Sequence, residues 1–283
     1  MIVHGQAATK RMDAHGIRGT RAVRLIATLL ATAGAPSCAP ASQRADEMNA
    51  ESNPIVELLA SGQPVFGIFS GDHTAEQGTV MAQNRETDFV FYSLESGPFD
   101  LPTMRVYMDA MAENSGANAP APFALRIPPI RDGEDVARQR ISQALEAGVD
   151  ALVFPHMESA EQATAAVAGM GTNVWPGDPD GVHVNMLIVE DQVGVGNVRA
   201  IAGTEGVSVV FAGPGDLRRA YDGDMEAVEH AIQTVLAACK AFDVPCGITA
   251  GVDDIAERLD QGFRVIIVTE PEALAVGKQA AGR

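Results

Sequence analysis

From residue 54 onward, short apolar runs alternate with longer segments whose apolar residues recur at helical spacing. PVFGIFS (64–70) is followed by AEQGTVMAQNRE, and DFVFYSLE (88–95) by LPTMRVYMDAMAEN. APFALRIP (121–128) precedes EDVARQRISQALEAG, which Gly148 closes as a helix stop. ALVFPHM (151–157) precedes SAEQATAAVAGM, with Ser159 as its N-cap. HVNMLIVED (183–191) leads into VGVGNVRAIAGTEG, and VSVVFAG (207–213) leads through a loop into DMEAVEHAIQTVLAACKAF. PCGITA (245–250) and FRVIIVTE (263–270) open the last two units.

These runs are apolar and mostly non-alternating, as expected of parallel strands covered on both faces. Eight strand–helix units in about 220 residues predict an α/β fold, a (β/α)8 TIM barrel, as one domain over residues 51–283. A doubly wound open sheet would want a glycine-rich phosphate loop after its first strand. FGIFSGDHTAEQG contains no such loop.

Composition narrows the function classes. The chain has 283 residues, 46% of them hydrophobic, and a net charge of −17. That charge argues against nucleic-acid partners, since little here would displace counterions from phosphates. Cys38, Cys239 and Cys246 form no CxxC pair, so neither zinc nor a disulfide scaffold is suggested; Cys239 and Cys246 read as buried small apolar residues. Residues 1–50 differ in kind. Lys10, Arg11, Arg18, Arg21 and Arg24 precede LIATLLATAGA (25–35) and PSCAPAS, the parts of a secretory signal. The apolar run is too short to span a bilayer. Ala39-Pro40-Ala41 offers a cleavage site; Cys38 would be the lipoprotein cysteine, although Ala35-Pro36-Ser37 makes a poor lipobox. Translation from Met48 would instead give a cytosolic chain beginning MNAESNPIVELL.

A barrel of this kind carries its chemistry at the C-terminal ends of the strands. Those ends present Asp72 and His73, Glu95 and Ser96, Arg126, His156, Glu190 and Asp191, Asp216, Thr249 and Glu270. Any one acid there reads as a helix cap or a solvated charge. Glu190 and Asp216, however, end neighbouring strands, where two carboxylates repel or share a cation. Oxygen ligation with open positions suits Mg²⁺ or Mn²⁺. Gly213-Pro214-Gly215 beside Asp216 would let backbone N–H groups approach an anion.

ALRIPPIRDGEDVARQRISQALEAGVDALVFPHMESAEQA, LIVED and FAGPGDL, in that order, resemble the HpcH/HpaI aldolase and citrate lyase family over roughly residues 55–275. The resemblance implies a metal-dependent carbon–carbon lyase that joins or separates a pyruvate-type 2-oxo acid and an aldehyde through a metal-stabilised enolate. It implies Glu190 and Asp216 as ligands of Mg²⁺, Mn²⁺ or Co²⁺, and the turn at Gly215-Asp216 as the holder of the substrate carboxylate. Arg126 would contact the keto oxygen and Glu95 would hydrogen-bond a metal-bound water. It also implies a homo-oligomer, hexamers being common in the family.

Three departures stand out. Where the aldolase branch reads roughly Asp-Gly-Glu-His, this chain reads Ser93-Leu94-Glu95-Ser96, so Ser96 replaces the histidine base. Ser96 is left as a substrate-binding candidate with Arg126, Gly215 and Asp216, and Glu146 in ALEAG would be the old base's acidic partner. Apolar residues replace the glutamine before the metal glutamate in LIVED. The family's long loop after the fourth helix, which helps close the pocket, is shortened to GTNVWPGDPDG (171–181). His73 and His156 are the candidates to replace the base; His4, His15, His183 and His230 have no positional argument. Acyl-CoA cleavage would want a basic patch, and 2-oxo acid decarboxylation would keep the enolate. A barrel that binds an oxo acid without turnover is the non-enzymatic alternative.

Overall fold

The computed structural model describes residues 52–283, so the signal-like segment, Cys38 and Met48 lie outside the described residues. Nine strands occur among the described residues: β1 (Val65–Phe69), β2 (Phe89–Ser93), β3 (Phe123–Arg126), β4 (Ala151–Phe154), β5 (Val174–Trp175), β6 (His183–Val189), β7 (Val209–Ala212), β8 (Cys246–Ala250) and β9 (Val265–Val268). All pairings are parallel, and β4 meets β6, with Ala151 opposite Val184, closing an eight-stranded barrel from which β5 is excluded. The (β/α)8 barrel expected from the apolar runs is the fold observed.

Strand alternation divides the core in two. Phe89, Phe91, Val153, Met186, Ile188, Phe211 and Ile267 fill the barrel. Val90, Tyr92, Leu152, Leu187, Val210 and Ile266 face the surrounding helices. That outer shell comprises α2 (Ala75–Ala82), α3 (Leu101–Asn114), α4 (Glu134–Glu146), α5 (Ala160–Met170), α6 (Gln192–Ala202), α7 (Pro214–Ala220), α8 (Met225–Phe242), α9 (Ile255–Gln261) and α10 (Glu272–Ala280).

One further helix, α1 (Pro54–Ala60), stoppers the end where the strands begin. Its Ile55 and Leu59 pack with the barrel interior, and Asn53 caps it while donating to the carbonyls of Val182 (2.8 Å) and Asp150 (3.2 Å). The open end is therefore the C-terminal rim. Among the described residues no helix is long and apolar enough to cross a membrane.

Two local readings change. PGDLRRA, taken from the sequence as loop, is the helix α7, with Pro214 in its first turn, where the missing N–H is no loss. Residues 171–181, the shortened counterpart of the family's pocket-closing loop, carry β5 against the first residues of β6, with Val174 opposite His183. A link from a helix end to the next strand start lies at the stoppered end, so this loop does not reach the rim of its own barrel. Glu146 lies at that same end, in the last turn of α4, where it accepts from Ser142 Oγ at 2.9 Å.

A candidate active site at the barrel rim

Glu190 follows β6 and is buried, the residue being 3% exposed. The neighbouring β7 runs into Gly213, and the first turn of α7 carries Asp216. A methyl group on Gly213 would stand 2.7 Å from Glu190 Oε2 and 2.8 Å from its Cβ, so Gly213 makes room for Glu190 itself. Gly215 has no atom within 4 Å of where its Cβ would be, and borders open space. The sequence reading gave both glycines to an anion; the structure assigns Gly213 to the protein's own carboxylate.

Arg126, at the end of β3, is fixed from three sides. Its Nε donates to Ser93 Oγ at 3.0 Å, its Nη2 pairs with Glu95 Oε2 at 2.9 Å, and its guanidinium lies 5.3 Å from the Phe91 ring centroid. Ser93 escaped the sequence reading, although alternation places it on the same face as Phe91 and Glu95.

His156 follows β4 in left-handed backbone, φ 50°, an uncommon conformation for a residue other than glycine. In that conformation its backbone N–H donates to Glu190 Oε1 at 2.8 Å. Its ring lies between two acids, Nδ1 at 3.5 Å from Glu190 Oε1 and Nε2 at 3.5 Å from Glu95 Oε1. Glu95, His156 and Glu190 thus offer three ligand atoms within 4.8 Å of one another. Asp216 lies close enough to act on Glu190 electrostatically, while its carboxylate is paired with Arg219, which sequence reasoning also missed.

The Glu190 carboxyl is pushed up to about 8, chiefly by burial and also by the charges of Asp216 and Glu95, against the lowering effects of the His156 N–H bond and Arg126. A carboxylate so placed is a poor anion without a cation beside it. The adjoining cavity, about 400 Å³, has Arg126, Glu190 and residues 213–216 around its polar side. Phe69, Phe91, Phe211 and Ile267 line its apolar side. Ile188 and Thr249 also line it.

His73 and Ser96 are elsewhere. They line a separate pocket of about 240 Å³ with Tyr92, Asp100 and Thr103. Tyr92 belongs to the outer shell, and the His73 ring stacks on it at 3.8 Å between centroids. Burial lowers the His73 pKa, against the raising effect of Asp72. Asp191 caps α6, its Oδ1 accepting from the Gly194 N–H at 2.7 Å, and Glu270 accepts from the Val252 N–H at 2.7 Å.

A profile of the HpcH/HpaI aldolase/citrate lyase family matches residues 72–269. The chain belongs to this family. It is 30% identical over 253 residues to a hydroxypyruvate/pyruvate aldolase of Delftia acidovorans, covering 78% of this chain and 87% of that one. It is 31% identical over 206 residues to a 5-keto-4-deoxy-D-glucarate aldolase of Klebsiella pneumoniae, covering 64% and 76%. A crystal structure of an HpcH/HpaI aldolase/citrate lyase family protein from Burkholderia cenocepacia superimposes with a TM-score of 0.66. At 24% identity, over 82% of this chain and 98% of that one, it speaks for the fold. Family membership and the relatives' names indicate aldolase or lyase activity.

Proposed function

We propose that the chain is a metal-dependent aldolase that makes or breaks the bond between a pyruvate-type 2-oxo acid and an aldehyde by way of the oxo acid's enolate. The observation that carries this reading is buried Glu190, with Asp216, from the helix turn after the next strand, and Arg126 in the same cavity. The donors fit a divalent cation: Glu190 is buried, its pKa is raised, and further carboxylates and an imidazole surround it. Glu190 and Asp216 would hold Mg²⁺, Mn²⁺ or Co²⁺, which supplies a Lewis acid for the oxygens of the 2-oxo acid.

The chain's own groups do the rest. Arg126, immobilised by Ser93 and Glu95, presents fixed positive charge to the keto oxygen, where negative charge develops. Gly215, in the first turn of α7 and with open space where a side chain would stand, would present its backbone N–H to the substrate carboxylate. Phe69 and Phe91 present an apolar wall to one side of the reacting carbons. Proton transfer falls to His156, whose ring lies against Glu95 and Glu190, because Ser96 and His73 line a separate pocket. The same reading includes a homo-oligomer, to be checked by sedimentation.

Incubating the protein with pyruvate, a short aldehyde and Mg²⁺, Mn²⁺ or Co²⁺ is expected to yield the 4-hydroxy-2-oxo acid adduct, detected by mass. No adduct with any of these metals would contradict the reading. His156→Gln is expected to keep cation affinity by calorimetry and to lower the rate by about 10²–10⁴, whereas His73→Gln leaves the rate near wild type. The clustering of Glu95, His156 and Glu190 favours a second arrangement in which His156 is itself a ligand. Loss of cation binding in His156→Gln would select it.

A further inference from the structure

Cys239 and Cys246 take no part in the rim site. Cys239 lies in the last turn of α8 and Cys246 opens β8. The turn between them is tight: Asp243 adopts left-handed backbone, φ 55°, and the Val244 N–H returns to the Cys239 carbonyl at 3.0 Å. This turn points the two side chains at each other, with Sγ atoms 2.7 Å apart and both residues buried. Thiols that merely pack do not approach so closely. Nor is the pair sealed off, because both residues line a cavity of about 480 Å³ near the stoppered end, together with Trp175 and Lys240.

We propose that Cys239 and Cys246 form an intramolecular disulfide that staples the end of α8 to the start of β8. The oxidant is a small-molecule or protein disulfide reaching the pair through that cavity. One cysteine thiolate attacks the oxidant's disulfide, forming a mixed disulfide and releasing one thiol. The second cysteine then attacks the protein sulfur of the mixed disulfide and releases the other thiol. In sum the two protein thiols lose two electrons and two protons, and the oxidant's disulfide becomes two thiols. Burial holds the Cys246 thiol well above its ordinary pKa, with the Cys239 contact adding to this, so the pair is slow to attack an incoming disulfide. Cys239 Sγ also lies 3.8 Å from the Val210 carbonyl, so the staple backs β7, the strand that leads to Asp216. The signal-like leader would take such a chain to an oxidising compartment.

The test is a peptide map of the full chain, native during treatment with either oxidised glutathione or dithiothreitol, then denatured, alkylated and cut with trypsin. Cleavage at Lys240 separates the cysteines into peptides 220–240 and 241–258. After oxidation these two are expected joined, without alkyl groups and lighter by two hydrogens than their sum. After reduction both are expected separate and alkylated. The oxidised protein is expected to melt about 5 °C higher than the reduced one, a gap absent in Cys239→Ser. Two alkylated peptides after oxidation, or either cysteine joined to glutathione or to Cys38 instead, would overturn the proposal.

Discussion

Replacing Glu190 with glutamine is expected to abolish metal-dependent turnover and, in the metal-free protein, to raise the melting temperature at pH 8. Both effects follow from one buried carboxyl. In the folded chain it titrates at about 8, against 4.5 for an ordinary glutamate, mainly because burial penalises its charge. The folded state therefore binds this proton more tightly than the unfolded state. The resulting stability is fully present below the ordinary glutamate range and is lost as pH rises through about 8. Glutamine keeps the shape without the charge, so its variant has no such slope. Wild-type protein in EDTA is expected to lose several degrees of melting temperature between pH 5.5 and 8.5, since each kcal/mol corresponds to about 2–4 °C in a domain of this size. Glu190→Gln should stay flatter over the same interval by calorimetry. Added cation should restore wild type alone, because it binds the folded state. Equal slopes in both proteins would remove Glu190 as the cause.

Arg126→Ala is expected to lower kcat/KM by about 10²–10³, the usual effect of deleting a positioned donor to developing negative charge. Arg126→Lys should recover little of it. A lysine ammonium cannot reproduce the planar fork that engages Ser93 Oγ at 3.0 Å and Glu95 Oε2 at 2.9 Å together. Cation affinity should be nearly unchanged in both variants, which separates loss of charge stabilisation from loss of the metal. Steady-state kinetics at saturating cation, beside a calorimetric titration, measure the two quantities independently. A fall of less than threefold in Arg126→Ala would show that the arginine serves only to hold Glu95.

The barrel was legible because each of its eight strands is an apolar run bounded by a helix start or stop, and buried parallel strands leave little room for anything else. β5 was not, since two residues, Val174 and Trp175, are too few to show a period. α7 was hidden by its brevity and by the glycines and proline that also signal a turn. At the rim, parity would have helped: Ser93 and Glu95 share the inner face of β2, while Ser96 falls with outward-facing Tyr92. No parity applies to His73, which lies beyond its strand in a loop, or to His156, whose positive φ turns it out of the strand's alternation. The thiol pair carried no motif because its seven-residue spacing spans a helix end, a turn and a strand start.

The central claim is that this rim forms an enolate from a 2-oxo acid. It can be measured as exchange of pyruvate methyl protons for deuterium in ²H₂O, followed by NMR after quenching with EDTA. Exchange that requires Mg²⁺, Mn²⁺ or Co²⁺ and disappears in Asp216→Ala is the expected result. Pyruvate that binds but keeps its protons with every metal would contradict it, and would leave a barrel that holds an oxo acid without activating it.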